Sequence, residues 1–193
     1  MPFNQGVPNM PNATTPPAAL TLTISTADAA VFLPLFQEGV GVRIVTGVSL
    51  QDLMCRQWQL NPDYVSGRIS TLFLNGRPVD DTDKALIRDG DILALSGAMP
   101  GLIGATMRRG GVLAPFRSGI THQADVEGGA AGERPGRITL KLFNLLIPEI
   151  GPHFLARGVA VSGRRIMDLG EAWAAQIDRP EEEVQIALQT PDP

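Results

Sequence analysis

The chain has 193 residues, of which 44% are hydrophobic and 19% charged. That composition allows a buried core and argues against wholesale disorder. A net charge of −4 with only 5% aromatic residues argues against a general nucleic-acid binder, which is usually basic and richer in aromatics.

Residues 1–18, MPFNQGVPNMPNATTPPA, are rich in Pro, Asn and Thr. They cannot build a core and are expected to form a mobile tail. Leu20, Leu22 and Ile24 then alternate with Thr21, Thr23 and Ser25, the period of a half-buried strand. Val40, Val42 and Ile44 repeat that pattern, and residues 26–39 between them read as a long connection with a helical turn. Leu50, Leu53, Met54 and Trp58 share one face of a helix. Ser49 and Asp52 make a capping-box pattern at its start, and Asn61-Pro62 stops it.

The run at 69–96, ISTLFLNGRPVDDTDKALIRDGDILALS, is the most informative. A strand at 72–74 enters Asn75-Gly76, the pair preferred where a two-residue hairpin needs positive φ twice. Residues 77–79 return as a short strand, Leu86 anchors the loop, and Asp89-Gly90-Asp91 leads into a strand at 92–95. The order strand, strand, helix, strand, short strand, strand predicts a mixed sheet crossed on one face by a helix. It is the β-grasp, or ubiquitin-like, arrangement.

The run FLNGRPVDD…LIRDGDILAL resembles the sulfur-carrier branch of that superfamily. Its members include the small subunit of molybdopterin synthase and the thiamine sulfur carrier. The resemblance covers 19–104, and its fold-signature turns are Asn75, Gly76, Asp89, Gly90 and Asp91. It implies a C-terminal glycine that is adenylated and thiocarboxylated, with an adenylating enzyme or a synthase large subunit as partner. Here the candidate carrier tail, Arg108-Arg109-Gly110-Gly111, is internal, with 82 residues beyond it.

Residues 118–136 are glycine-rich and read as a flexible linker. Beyond them lies a smaller module at 137–193. Ile138, Leu140 and Leu142 alternate as the first strand did, and Gly158-Val159-Ala160-Val161 parallels Gly41-Val42-Arg43-Ile44. Ile166, Leu169, Trp173 and Ile177 fall on one helical face, and Val184, Ile186 and Leu188 alternate. The expected organisation is therefore α+β: a β-grasp module at 19–117 and a partial β-grasp-like second copy reading strand, strand, helix, strand. Such a short copy has an open sheet edge and should lean on the first module or on a second chain as a homodimer.

Chemistry is sparse. Cys55 is the one cysteine, which excludes an internal disulfide and a cysteine-built zinc site and points to a reducing, cytoplasmic setting. It reads as a packing residue. Asp80, Asp81, Asp83, Asp89 and Asp91 lack the spacing of a calcium loop and suit turns, where Asp bonds local amides. His122 and His153 stand beside no nucleophile motif. Arg108, Arg109 and Arg117 read as a solvated basic loop. Trp58 and Trp173 read as core or interface anchors. No window approaches the ~20 apolar residues of a membrane span.

The expectation is thus a non-catalytic protein-binding module with no cofactor, no metal and no membrane or nucleic-acid partner. The alternative is a sulfur carrier or protein modifier of the molybdopterin or thiamine type, activated after cleavage at Gly111.

Overall fold

A computed structural model of the chain describes residues 20–97, 99–122 and 132–189. The predicted tail at 1–18 and positions 123–131 of the predicted linker lie outside the described residues. Eight strands are formed among the described residues: β1 (Leu20–Ile24), β2 (Val40–Thr46), β3 (Thr71–Leu74), β4 (Arg77–Pro78), β5 (Ile92–Ser96), β6 (Arg134–Phe143), β7 (Val159–Ser162) and β8 (Glu183–Leu188). They join one open sheet in the order β1-β8-β7-β2-β6-β5-β3-β4. With several helices added, the architecture is mixed, as an α+β chain requires.

The register explains why one sheet face is the core. Leu74 pairs with Leu93, Leu93 with Leu140, and Leu140 with Val40. Leu72, Leu95 and Leu142 form the next row. Because side chains alternate along a strand, these rows build a continuous apolar surface on one face. On it pack Phe32 of α1 (Ala29–Phe32) and Phe36 of α2 (Leu35–Glu38). Leu53 and Trp58 come from the region of α3 (Leu50–Asp52), which runs on as a π-helical turn over Leu53–Gln57. Each fully buried Leu or Phe contributes roughly 1.5–3 kcal/mol.

The capping pattern at Ser49 is realised, since its hydroxyl accepts the Asp52 amide at 3.1 Å. The wider π turn is closed by the Trp58 amide on Leu53 O, 2.9 Å, and swings the Trp58 ring inward. Asn61-Pro62 does more than end that helix. Asn61 accepts the Asp63 amide at 2.8 Å and starts α4 (Pro62–Gly67) with proline in the first turn.

Strand neighbours depart from the sequence expectation. β1 lies beside β8 in parallel, and β6 lies between β2 and β5, parallel to β5 and antiparallel to β2. The first strand of each half is therefore seated against the last strand of the other half. The open edge expected of the second half is closed, because β8 is paired on one side with β1 and on the other with β7.

The second half also holds a helix that patterning missed. α6 (Leu146–Arg157) buries Leu146, Ile150 and Phe154 along one stripe. Pro148 and Gly151-Pro152 hid it. Pro148 occupies the first turn, where a missing amide costs nothing, and Gly151 lets the helix approach α1, since a Cβ there would lie 2.7 Å from Leu33 Cδ2. The single helix expected over 166–177 is instead two turns, α7 (Gly163–Met167) and α8 (Glu171–Ala174), interrupted at Gly170, φ 139°. Ile166 and Ile177 are buried all the same. The internal likeness shifts by two residues. Gly39 (φ 112°) ends α2 ahead of β2 as Gly158 (φ 87°) ends α6 ahead of β7.

Each tryptophan joins the halves. Trp58 meets Phe154 edge-on at 4.8 Å between ring centroids, and Trp173 meets Phe32 edge-on at 4.7 Å.

Candidate functional site

The helices cover one face of the sheet; on the other face Thr71 and Ser96 are buried, and among the described residues no helix covers the stretch of β3, β5 and β6 around Phe73, Ile92 and Ala94. Register fixes what it displays. Phe73 pairs with Ala94 and Ala94 with Lys141; Ser96 pairs with Phe143; Ile92 pairs with Thr139. In a sheet with one wetted face these outward positions are normally polar. Here Phe73, Ile92, Ala94 and Phe143 are apolar, and Ile92 is 43% exposed. Ala94 is the low floor between Phe73 and Lys141, with Phe143 one pair further along on the same face, and Met99 also lines it. The result is an apolar groove of about 560 Å³. Asn144 donates to Ser96 Oγ at 3.2 Å at its end, and among the described residues Lys141 is the one charged residue lining it.

The fold-signature turns border this groove and are tied to each other. Asn75 (φ 50°) and Gly76 (φ 78°) occupy the two tight-turn positions. The Asn75 amide side chain donates to Asp91 Oδ1 at 2.7 Å, while its carbonyl accepts the Ile92 amide at 2.8 Å. Asp91 Oδ2 accepts the Arg88 amide at 2.7 Å, and Asp89 Oδ1 accepts the Arg137 amide at 2.7 Å. Gly90 (φ 82°) donates to Arg137 O at 2.8 Å. The hairpin and the Asp-Gly-Asp turn therefore lock one end of β3, β5 and β6 into a fixed register. Asp81 accepts the Asp83 and Lys84 amides, both at 3.1 Å. These aspartates act as turn residues.

The segment Arg108-Arg109-Gly110-Gly111 is docked onto the body of the protein. It follows α5 (Gly101–Met107). The Arg109 amide donates to Ser70 O at 2.8 Å, and its guanidinium reaches Val65 O at 2.9 Å; burial lowers the pKa of that guanidinium. The Gly110 amide faces Asp80 Oδ1 at 3.4 Å. A Cβ on Gly111 would lie 3.2 Å from Arg108 O. The expectation of a solvated loop fails at Arg117, which is buried at 4% exposure. Its guanidinium donates to Asp80 Oδ1 and Oδ2 at 2.6 and 3.0 Å, to Thr106 O at 2.8 Å and to Thr121 Oγ1 at 3.0 Å. Arg117 is the pin that folds 101–121 back on itself. That fold leaves Leu102, Ile103, Val112 and Phe116 exposed.

The remaining candidates form no reactive set. His153 Nε2 lies 2.7 Å from Trp58 O, and the His122 amide donates to Pro78 O at 2.8 Å. The Cys55 thiol is pushed up first by burial and then by Asp52 and Asp83, the reverse of what a nucleophilic thiolate requires. No cluster of three or more His, Cys, Asp or Glu suited to a metal occurs among the described residues, and no described helix is long and apolar enough to cross a membrane.

The groove residues were not singled out by sequence reasoning. A usable signal was present: ILALS at 92–96 and TLFL at 71–74 carry apolar residues at both parities, where a half-buried strand would alternate. Comparison with family models, curated proteins and solved structures finds no match.

Proposed function

We propose that this chain is a non-catalytic β-grasp, ubiquitin-like module that docks a protein partner in a cytoplasmic setting, using the outer face of β3, β5 and β6. The β-grasp reading is supported by the order β2-β6-β5-β3-β4, with the parallel pair β6/β5 flanked by antiparallel β2 and β3. The strand that completes this set, β6, comes from the second half of the sequence. The observation that carries the docking reading is the apolar groove of about 560 Å³, which no described helix covers, since contiguous exposed apolar surface marks interaction sites.

The sulfur-carrier alternative needs cleavage after Gly111, in the segment pinned by Arg117 and Asp80. In protein purified from its native host, residues on both sides of Gly111 are expected in one uncleaved chain, with no fragment ending at Gly111.

The docking reading is tested by Ala94→Arg, which fills the groove floor. In native extract the wild-type chain is expected to elute with its partner, and Ala94→Arg to elute alone. Val31→Arg, exposed on α1 on the opposite layer, should behave as wild type. An unchanged elution of Ala94→Arg would refute the reading.

A further inference from the structure

Resting on that docking reading, we infer that the partner segment in the groove is apolar and acidic, with a carboxylate placed on the Lys141 ammonium.

Lys141 stands in the row Phe73–Ala94–Lys141. Its stem crosses Gly39, where a Cβ would lie 3.3 Å from Lys141 Cε, so glycine there gives the stem its bed. The ammonium makes no hydrogen bond or ion pair with any described residue. Carboxylates on the surrounding turns and strands are committed elsewhere: Asp91 to Asn75 and the Arg88 amide, Asp89 to the Arg137 amide, and Glu183 to the Arg137 guanidinium. A purely apolar partner would bury this ammonium without a counter-ion, and an unpaired buried charge is strongly unfavourable. A basic partner would add repulsion. A segment that brings a carboxylate among apolar side chains satisfies both the walls and the cation. The same reasoning disfavours a second copy docking through its exposed apolar run at 102–116, because that run carries the exposed Arg108.

The test uses the full chain and three capped peptides, acetyl-Val-Glu-Phe-Glu-Val-amide and its Gln and Lys counterparts at both Glu positions. Backbone amide shifts are followed by NMR. The Glu peptide is expected to shift Phe73, Ala94, Lys141 and Phe143, about tenfold more tightly than the Gln peptide and less tightly as salt is added. Lys141→Met should level the Glu and Gln peptides, and Lys141→Glu should invert the order in favour of the Lys peptide. Equal affinities for wild type, silence of both Lys141 variants, or no groove shift with any peptide overturns the inference. Self-association that broadens the same amides would put a second copy there and overturn it too. The failures are distinguishable: if Ala94→Arg breaks the native complex but Lys141→Glu does not, only the acidic chemistry is wrong.

Discussion

Leu140→Ala is the sharpest probe of how the two halves cohere. Leu140 is fully buried in β6, between Val40 of β2 and Leu93 of β5. Both neighbouring strands belong to the first half of the sequence. Truncating a buried leucine costs about 2–5 kcal/mol, depending on how far the site collapses. A central strand bonded on both sides collapses little, so about 3–4 kcal/mol is expected. With a urea slope of about 2 kcal/mol/M the midpoint should fall by about 1.5–2 M. The two tryptophans, Trp58 and Trp173, lie in different halves. Single-tryptophan versions, Trp58→Phe and Trp173→Phe, therefore give one fluorescence report for each half. Both reporters should move together to the lower midpoint, because the strand is shared. If Trp58 unfolds at its original midpoint while Trp173 moves, the halves are separate modules and the shared-sheet account is wrong.

Three further outcomes are expected. Gly76→Val should cost about 1 kcal/mol or more; a Cβ there meets nothing within 4 Å, but φ is +78°, so an unchanged urea midpoint would show that backbone strain is not limiting. Asp80→Asn removes the counter-charge of buried Arg117 and should free 101–121, giving about tenfold faster tryptic cleavage at Arg108 and Arg109 with little change in the global midpoint, since local opening tracks local stability; unchanged cleavage would contradict the pinning role. Glu149 holds α6 to α4 through Arg68 and Tyr64, and their hydrogen bonds, Arg68 first, lower its carboxyl from 4.5 to about 2. A depressed carboxyl gives stability present above its unfolded value and lost as pH falls toward the folded one, so Glu149→Gln should flatten the loss of stability between pH 4.5 and about 2.

Local features were legible in the sequence because each has a local cause. The Asn75-Gly76 turn needs positive φ twice, Ser49 caps a helix by direct bonding, and alternating leucines fix which face of a strand is buried. Alternation does not say which strand lies alongside. β1 and β2 share the same pattern as β6 and β7, so seating β6 between β2 and β5 was decided by long-range packing that no window contains. α6 was hidden because Pro148 and Pro152 usually signal breaks, whereas here Phe154, Ile150 and Leu146 supply a buried stripe that outweighs one lost helical bond. Arg117 looked solvated beside Arg108 and Arg109, yet its acceptors, Asp80 and Thr106 O, come from 37 and 11 residues away. The groove was half-legible: its apolar side chains stand in plain sequence at 73, 92, 94 and 143, but only pairing brings them onto one face with Lys141.

The most direct measurement on the proposed docking surface is site-specific photo-cross-linking in the native host. A photoreactive phenylalanine analogue would replace Ile92 in the groove, or Val31 on the helical layer as control; the two are similarly exposed, at 43% and 39%. Position 92 should give one discrete adduct, and adding Lys141→Glu should abolish it, while position 31 gives none. The cross-linked peptide of the partner should carry Asp or Glu among apolar residues. Equal adducts from both positions, or none from position 92, would contradict the assignment of the outer sheet face as the contact surface.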